Sequence, residues 1–141
     1  MTAVPYGYRP ATMSGSTDWE DLYARGSPTR ELIGRLANRW TILILRALQD
    51  GPTRFTELRD RVGISSQVLT RSLRDLEQNG LVERRAFAEV PVRVEYSLTD
   101  VGRTLCPIID AMRKWAEDHQ EDVAKARVRY ERAHRRPERS A

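Results

Sequence analysis

The stretch "GISSQVLTRSLRDLEQNGLVERR" runs from Gly63 to Arg85 and decides how the chain is read. At 3.6 residues per turn, Leu69, Leu73 and Leu76 fall within about 60° of one another. Gln67, Thr70, Arg71, Arg74 and Gln78 fall on the far side. A merely solvated face would carry Glu and Lys, whereas this one mixes amides, a hydroxyl and guanidiniums. Gly63 makes the turn before the helix and Ser65 is its N-cap. Asn79-Gly80 is a left-handed helix stop.

Working outward, the segments on either side give the stretch a context. Ser27-Pro28 opens a helix, with Ser as cap and Pro at the first helical position. Leu32, Ile33 and Leu36 form its apolar stripe. Trp40 to Leu48 is almost wholly apolar and reads as a central core helix, stopped by Asp50-Gly51-Pro52. Thr56 to Val62 is a short helix with Phe55, Leu58 and Val62 facing inward. After Gly80 the period changes to two: Val92, Val94, Tyr96 and Leu98 alternate with Arg93, Glu95 and Ser97. That is a half-buried strand, paired with Leu81 to Phe87 as a hairpin. Thr99 caps a long helix whose stripe is Leu105, Ile108, Ile109, Met112 and Trp115, with a break expected before Pro107. Beyond Val123 the apolar spacing thins, and Arg127 to Arg139 reads as a basic tail, helical at first and then disordered. Residues 1–26, with Pro5, Gly7, Pro10, Gly15 and Gly26, read as a mobile arm with a helical turn around Trp19 to Tyr23.

The order is helix, helix, helix-turn-helix, two-stranded wing, long helix: a mainly α fold with a small β-hairpin, the winged helix-turn-helix. In that setting the polar face of the quoted helix becomes chemically specific. Gln bonds adenine in bidentate fashion, Arg forks onto guanine, and Thr reaches a phosphate or a thymine methyl. Recognition helices present their N-terminal residues to base edges. Ser65, Ser66, Gln67, Thr70 and Arg71 are therefore the candidate readers of double-stranded DNA, with Arg74 a turn later on a phosphate. Arg84, Arg85 and Arg93 are candidates for the sugar-phosphate backbone or the minor groove, and Arg54 is a further phosphate candidate. Arg84 or Arg85 paired with Glu83 or Glu95 across the hairpin is the other reading of those residues.

Bulk composition bounds the alternatives. The 141 residues are 40% hydrophobic and 31% charged, with net charge +4 and pI about 9.6. This is one globular domain whose mild basicity permits a polyanionic partner. No apolar run reaches the ~18 residues a membrane span needs. The lone Cys106 excludes an internal disulfide framework and fits a reducing cytoplasm. There is no GxSxG, no phosphate-cradling glycine loop and no metal pattern, since His119 and His134 lie far apart without partners. Glu57 and Asp60, three apart, are a solvated pair, as are Glu117, Asp118, Glu121 and Asp122. Neither an enzyme nor a cofactor is implied. The competing non-enzymatic reading is a winged helix used for protein-protein contacts.

The chain resembles HxlR-type regulators, a branch of the MarR-like winged-helix proteins. The resemblance rests on "NRWTILILRAL" (38–48), "GPTRFTELRDRVGISSQVLTRSLRDLEQNGLVERR" (51–85) and "EVPVRVEYSLTDVGRTLCPIIDAM" (89–112). It implies a homodimeric, cytoplasmic transcription regulator of bacteria or archaea that binds an inverted-repeat operator, with repression as the default sign. It also implies a dimer seam from Leu32, Ile33 and Leu36 and from Ile108, Ile109, Met112 and Trp115. Residues 27–123 would be the winged domain with its dimerisation helices, and 124–141 the basic tail. Two positions depart from the family pattern. Val92 stands where a second Pro is common, which loosens the wing. Ser27 stands where many members carry a cysteine, which some use to sense thiol-reactive electrophiles or oxidants, and a hydroxyl cannot follow the thiol oxidation ladder. Cys106, on an apolar helix, reads as an inert small core residue. An unidentified small-molecule effector held near Trp40 is compatible with the resemblance, but no polar cluster identifies it.

Overall fold

The computed structural model describes residues 19–137. The expected arm therefore lies mostly outside the described residues. The chain packs as two units, one ending at Ala37 and the other starting at Asn38. The first holds α1 (Trp19–Tyr23) and α2 (Pro28–Leu36). Ser27 caps α2, its Oγ accepting from the Arg30 amide at 3.3 Å, and the Arg30 guanidinium donates to the Tyr23 carbonyl at 3.0 Å. No residue of α2 is buried. The first unit thus holds both α1 and α2.

The second unit begins with α3 (Arg39–Leu48), capped by Asn38, whose Oδ1 accepts from the Thr41 amide at 2.9 Å. Ile44 and Leu45 of α3 are fully buried. Next come β1 (Thr53–Arg54), α4 (Phe55–Val62) and α5 (Ser66–Gln78). The hairpin is β2 (Val82–Phe87) and β3 (Arg93–Leu98). The sheet has three strands, in the order β1-β3-β2, all antiparallel. The sequence reading expected two, because a two-residue strand has no period to detect. Thr53 is opposite Tyr96 and Arg54 opposite Glu95, so the far edge of the wing strand is paired at its base.

The α5 helix ends as Asn79-Gly80 foretells. Gly80 adopts φ 72°, the Leu81 amide donates back to the Leu76 carbonyl at 3.0 Å and the Gly80 amide to Glu77 at 3.0 Å. This two-bond closure satisfies carbonyls the helix leaves open. Helix α6 (Asp100–Thr104) then docks on the same point. Thr99 Oγ1 donates to the Gly80 carbonyl at 2.6 Å and accepts from the Gly102 amide at 3.0 Å, while the Thr99 amide donates to Leu81 at 3.1 Å. Gly102 is buried there, and a Cβ at that position would sit 2.1 Å from the Leu81 carbonyl oxygen. After the break at Leu105, α7 (Cys106–His134) starts with Pro107 in its first turn. The break falls where the missing proline donor required it. The segment 124–134, part of the tail expected to be helical at first, continues α7.

Two consequences can be measured. Gly102→Ala forces backbone apart and should cost roughly 3 kcal/mol, lowering Tm by on the order of 10 °C in a calorimetric melt; an unchanged melt would show that this seam is loose. Asp50 joins α3 to α4 by ion pairs to Arg61 and, at 3.5 Å, to Arg46. The Arg61 hydrogen bond and charge, and then Arg46, hold its carboxyl below the usual carboxylate range. A lowered folded pKa means that the clamp is intact at neutral pH and is lost only as pH falls through that lowered value. NMR titration of Asp50 should show the low midpoint, and Arg61→Ala should raise it.

Candidate nucleic-acid interface

The interface is built from the core outward. Leu69, Leu73 and Leu76 are at most 1% exposed, and α5 packs on α3 and β2. Their burial fixes the rotation of α5. Gln67, Thr70, Arg71, Arg74 and Gln78 are consequently all exposed, on the side the wheel gave them.

The start of α5 is polar and organised. Gly63 reverses the chain at φ 72°. Ser65 Oγ accepts from the Val68 amide at 3.3 Å, which makes it the cap and leaves its own proton free to donate outward. Arg59 of α4 donates to Ser66 Oγ at 3.3 Å, so that hydroxyl also keeps a free proton. Thr70 differs: its Oγ1 donates to the Ser66 carbonyl at 2.7 Å. With its proton engaged, Thr70 presents lone pairs and a methyl group.

Two groups of arginines can be compared. Arg46, Arg59, Arg61, Arg103 and Arg113 are ion-paired to Asp or Glu. Arg54, Arg71, Arg74, Arg84 and Arg85 make no ion pair with a described residue. Unpaired exposed guanidiniums are available to an external anion.

The wing separates what the sequence reading had grouped. Register places Arg84 opposite Tyr96 and Arg85 opposite Glu95, so the two point to opposite faces. Arg54 and Arg84 line a groove of about 570 Å³ with Phe55, Thr56 and Tyr96 beside the wing tip. Arg85 lines a different cleft of about 530 Å³ with Glu83, Glu95 and Arg103. Arg93, expected on the sugar-phosphate backbone, is engaged within the hairpin. It is half-buried, ion-paired to Glu89 at 3.4 Å and Glu95 at 3.7 Å, and its guanidinium lies 4.1 Å from the Phe87 ring centroid. Thus Arg93 braces the hairpin from inside. The sequence reading also missed the wing tip itself, where Val90 and Val92 are exposed large apolar residues around the cis Val90–Pro91 bond.

Of the seam candidates, Leu32, Ile33, Ile108, Met112 and Trp115 are exposed and Leu36 is half-buried. Ile109 is 7% exposed and belongs to its own chain's core. Cys106 is half-buried, its Sγ 3.9 Å from the Gly102 carbonyl.

Residues 35–124 match the family model for the HxlR-like helix-turn-helix. The chain belongs to that family. HxlR-like relatives include YtfH of Escherichia coli (strain K12), an uncharacterised HTH-type transcriptional regulator. It is 40% identical over 114 residues, covering 80% of this chain and 89% of the relative. A solved structure of ytfH from Salmonella typhimurium superposes with a TM-score of 0.69 at 39% identity, covering 75% of this chain and 96% of the other. The redox regulator HypR in its reduced form gives 0.65 at 36% identity, covering 70% and 99%. This HxlR-like chain is thus an HTH-type, DNA-binding transcription regulator with the MarR-like winged-helix fold, from a family of regulators rather than enzymes. Among its described residues, no helix is long and apolar enough to cross a membrane.

The wing assignment is directly testable. Arg84→Ala should weaken duplex binding while Arg85→Ala, on the other face, changes it less; titrations of both variants on one duplex would compare them. Equal losses would mean that both faces of the hairpin meet the ligand.

Proposed function

We propose that this regulator binds an inverted-repeat operator as a homodimer and represses by occluding polymerase. Each copy lays α5 in a major groove, the two helices about 34 Å apart along the duplex. Gln67 and Arg71 read base edges, with Ser65, Ser66 and Thr70 beside them. Arg74, Arg54 and Arg84 hold phosphates, while Arg93 keeps the wing in shape to do so. The dimer forms through the Leu32/Ile33/Leu36 face of α2 and the Ile108/Met112/Trp115 face of α7. The observation that supports this reading best is the α5 face itself: Gln67, Arg71 and Arg74 are solvent-exposed, and both guanidiniums lack an ion-pair partner among the described residues, whereas Arg59 and Arg61 of the neighbouring α4 are ion-paired. A scaffold for protein contacts alone would have no need of such a face.

Redox sensing, which HypR's name carries, does not transfer to the start of α2. Ser27 there is a helix cap. A thiolate at that place would be stabilised by the helix N-terminus. Ser27→Cys should therefore react with a thiol probe faster than Cys106 does, as followed by mass spectrometry; equal rates would show that the surroundings of position 27 do not activate a thiol.

The test of DNA reading is a base-substitution series on the bound duplex. Arg71→Ala should lose ~1–3 kcal/mol and flatten the preference at one position per half-site. An unchanged preference profile would remove Arg71 as a base reader. Affinity for duplex DNA should also fall ~10³-fold or more between low and moderate salt. A protein-contact module would show no such slope.

A further inference from the structure

The chain's formal net charge is +4, and where that charge sits decides what it means. Residues 124–137 hold six cations, Lys125, Arg127, Arg129, Arg132, Arg135 and Arg136, against Glu131 alone, a net +5. The rest of the chain is therefore a net −1. The basicity that permits a polyanionic partner belongs to the end of α7, beyond residue 124 where the family match stops.

That charge is carried on an exposed rod. Every residue from Asp110 to Pro137 is exposed, and Lys125 lies about 28 Å along the axis from Cys106, at 1.5 Å per residue. Lys125, Arg129 and Arg132, spaced by four and three, fall in one row and line an open groove of about 420 Å³ with Glu121, Ala124 and Val128. Nearer the core the cations of α7 are matched one turn on, Arg113 to Glu117 at 2.8 Å and Lys114 to Asp118 at 3.0 Å. Lys125 still reaches Glu121, at 3.8 Å. Past it the acids run out, and Arg129 and Arg132 make no ion pair with a described residue. The helix dipole draws cations to the last turn. It accounts for Arg132, which lies there, but not for Arg127 or Arg129.

The neighbours of the row select the kind of polyanion it fits. A helix that lies on a lipid surface sets bulky apolar residues against its basic side. Here the other side is Val123, Ala126, Tyr130 and Ala133, mostly small. A single-stranded nucleic acid is held by aromatic platforms set among the cations. Tyr130, the one Phe, Tyr or Trp of this segment, lies about 130° round the helix from the row and is stacked on His134 at 4.0 Å. A row of guanidiniums with small neighbours and no stacking ring matches the phosphates of a duplex. We infer that the end of α7, through Lys125, Arg129 and Arg132, grips duplex DNA by its phosphates without regard to sequence. The grip rests on the DNA-binding reading above and adds a second contact to it. The rod carries the row off the winged domain, so the phosphates it meets lie outside the base pairs under α5. With α5 already on the duplex, the row meets those phosphates at high effective concentration.

Salt titration of the full chain on a long random-sequence DNA duplex tests the grip. Arg129→Gln with Arg132→Gln removes two charges at exposed positions and keeps a good helix former at each, so the far-ultraviolet spectrum should not change. The plot of log affinity against log salt should become shallower by ~2, close to one unit per lost phosphate contact. Arg113→Gln with Lys114→Gln removes the same charge from ion-paired positions on the same helix and should move the slope less. The base-preference profile of the Arg129/Arg132 variant should match wild type, whereas Arg71→Ala flattens it. An unchanged slope in the Arg129/Arg132 variant overturns the grip and leaves base reading by α5 standing. Equal changes in the two double variants would assign the effect to total charge and also overturn it. Loss of binding to single-stranded RNA with duplex binding intact would overturn the choice of ligand. A wild-type chain with no salt slope on duplex DNA overturns the grip and the DNA reading together.

Discussion

The rotation of α5 about its own axis is the constraint on which everything else in the interface depends. Leu69, Leu73 and Leu76 set it by being sealed from water against the rest of the core, which includes Ile44, Leu45 and Leu58. Each such leucine contributes ~2–5 kcal/mol as judged by truncation to alanine, far more than any polar contact on the opposite face. The polar face is therefore not chosen by its own interactions. It is whatever the leucines leave outside, and the sequence places Gln67, Thr70, Arg71 and Arg74 there.

A second constraint ties the wing to that helix. Gly80 ends α5, and its carbonyl and that of Leu81 are both taken by Thr99, one by the side chain and one by the amide. Gly102 allows α6 to approach the Leu81 backbone. The end of α5, the base of β2 and the start of α6 thus meet at one point, and the hairpin leaves it in a fixed direction. Inside the hairpin, Arg93 stacks on Phe87 and pairs with Glu89 and Glu95. This leaves Arg54 and Arg84 on the outer groove with their guanidiniums free of ion pairs among the described residues.

Much of this was legible in the sequence, because burial imposes a period. The leucine triplet, the alternation of Val94, Tyr96 and Leu98, and the Gly63 and Gly80 stops are local patterns with local causes. What escaped the sequence reading depends on register or distance. The β1 strand is too short to have a period and exists because β3 offers an edge. The internal engagement of Arg93 needs Phe87 opposite it, which only the pairing register supplies. The opposite facing of Arg84 and Arg85 follows from the two-residue repeat of a strand, yet their adjacency in sequence suggested a joint role. The need for glycine at position 102 comes from the Leu81 backbone, a neighbour distant in sequence.

The proposed base-reading helix and the proposed pairing of two chains would both show in the pattern the protein leaves on DNA. Methylation interference at guanine N7 on a bound genomic fragment measures both together, since N7 lies in the major groove and methylation blocks an arginine fork. Two clusters of interference about one helical turn apart, related by a two-fold, are the expected result. A single cluster, or binding indifferent to N7 methylation at every guanine of the site, would contradict it.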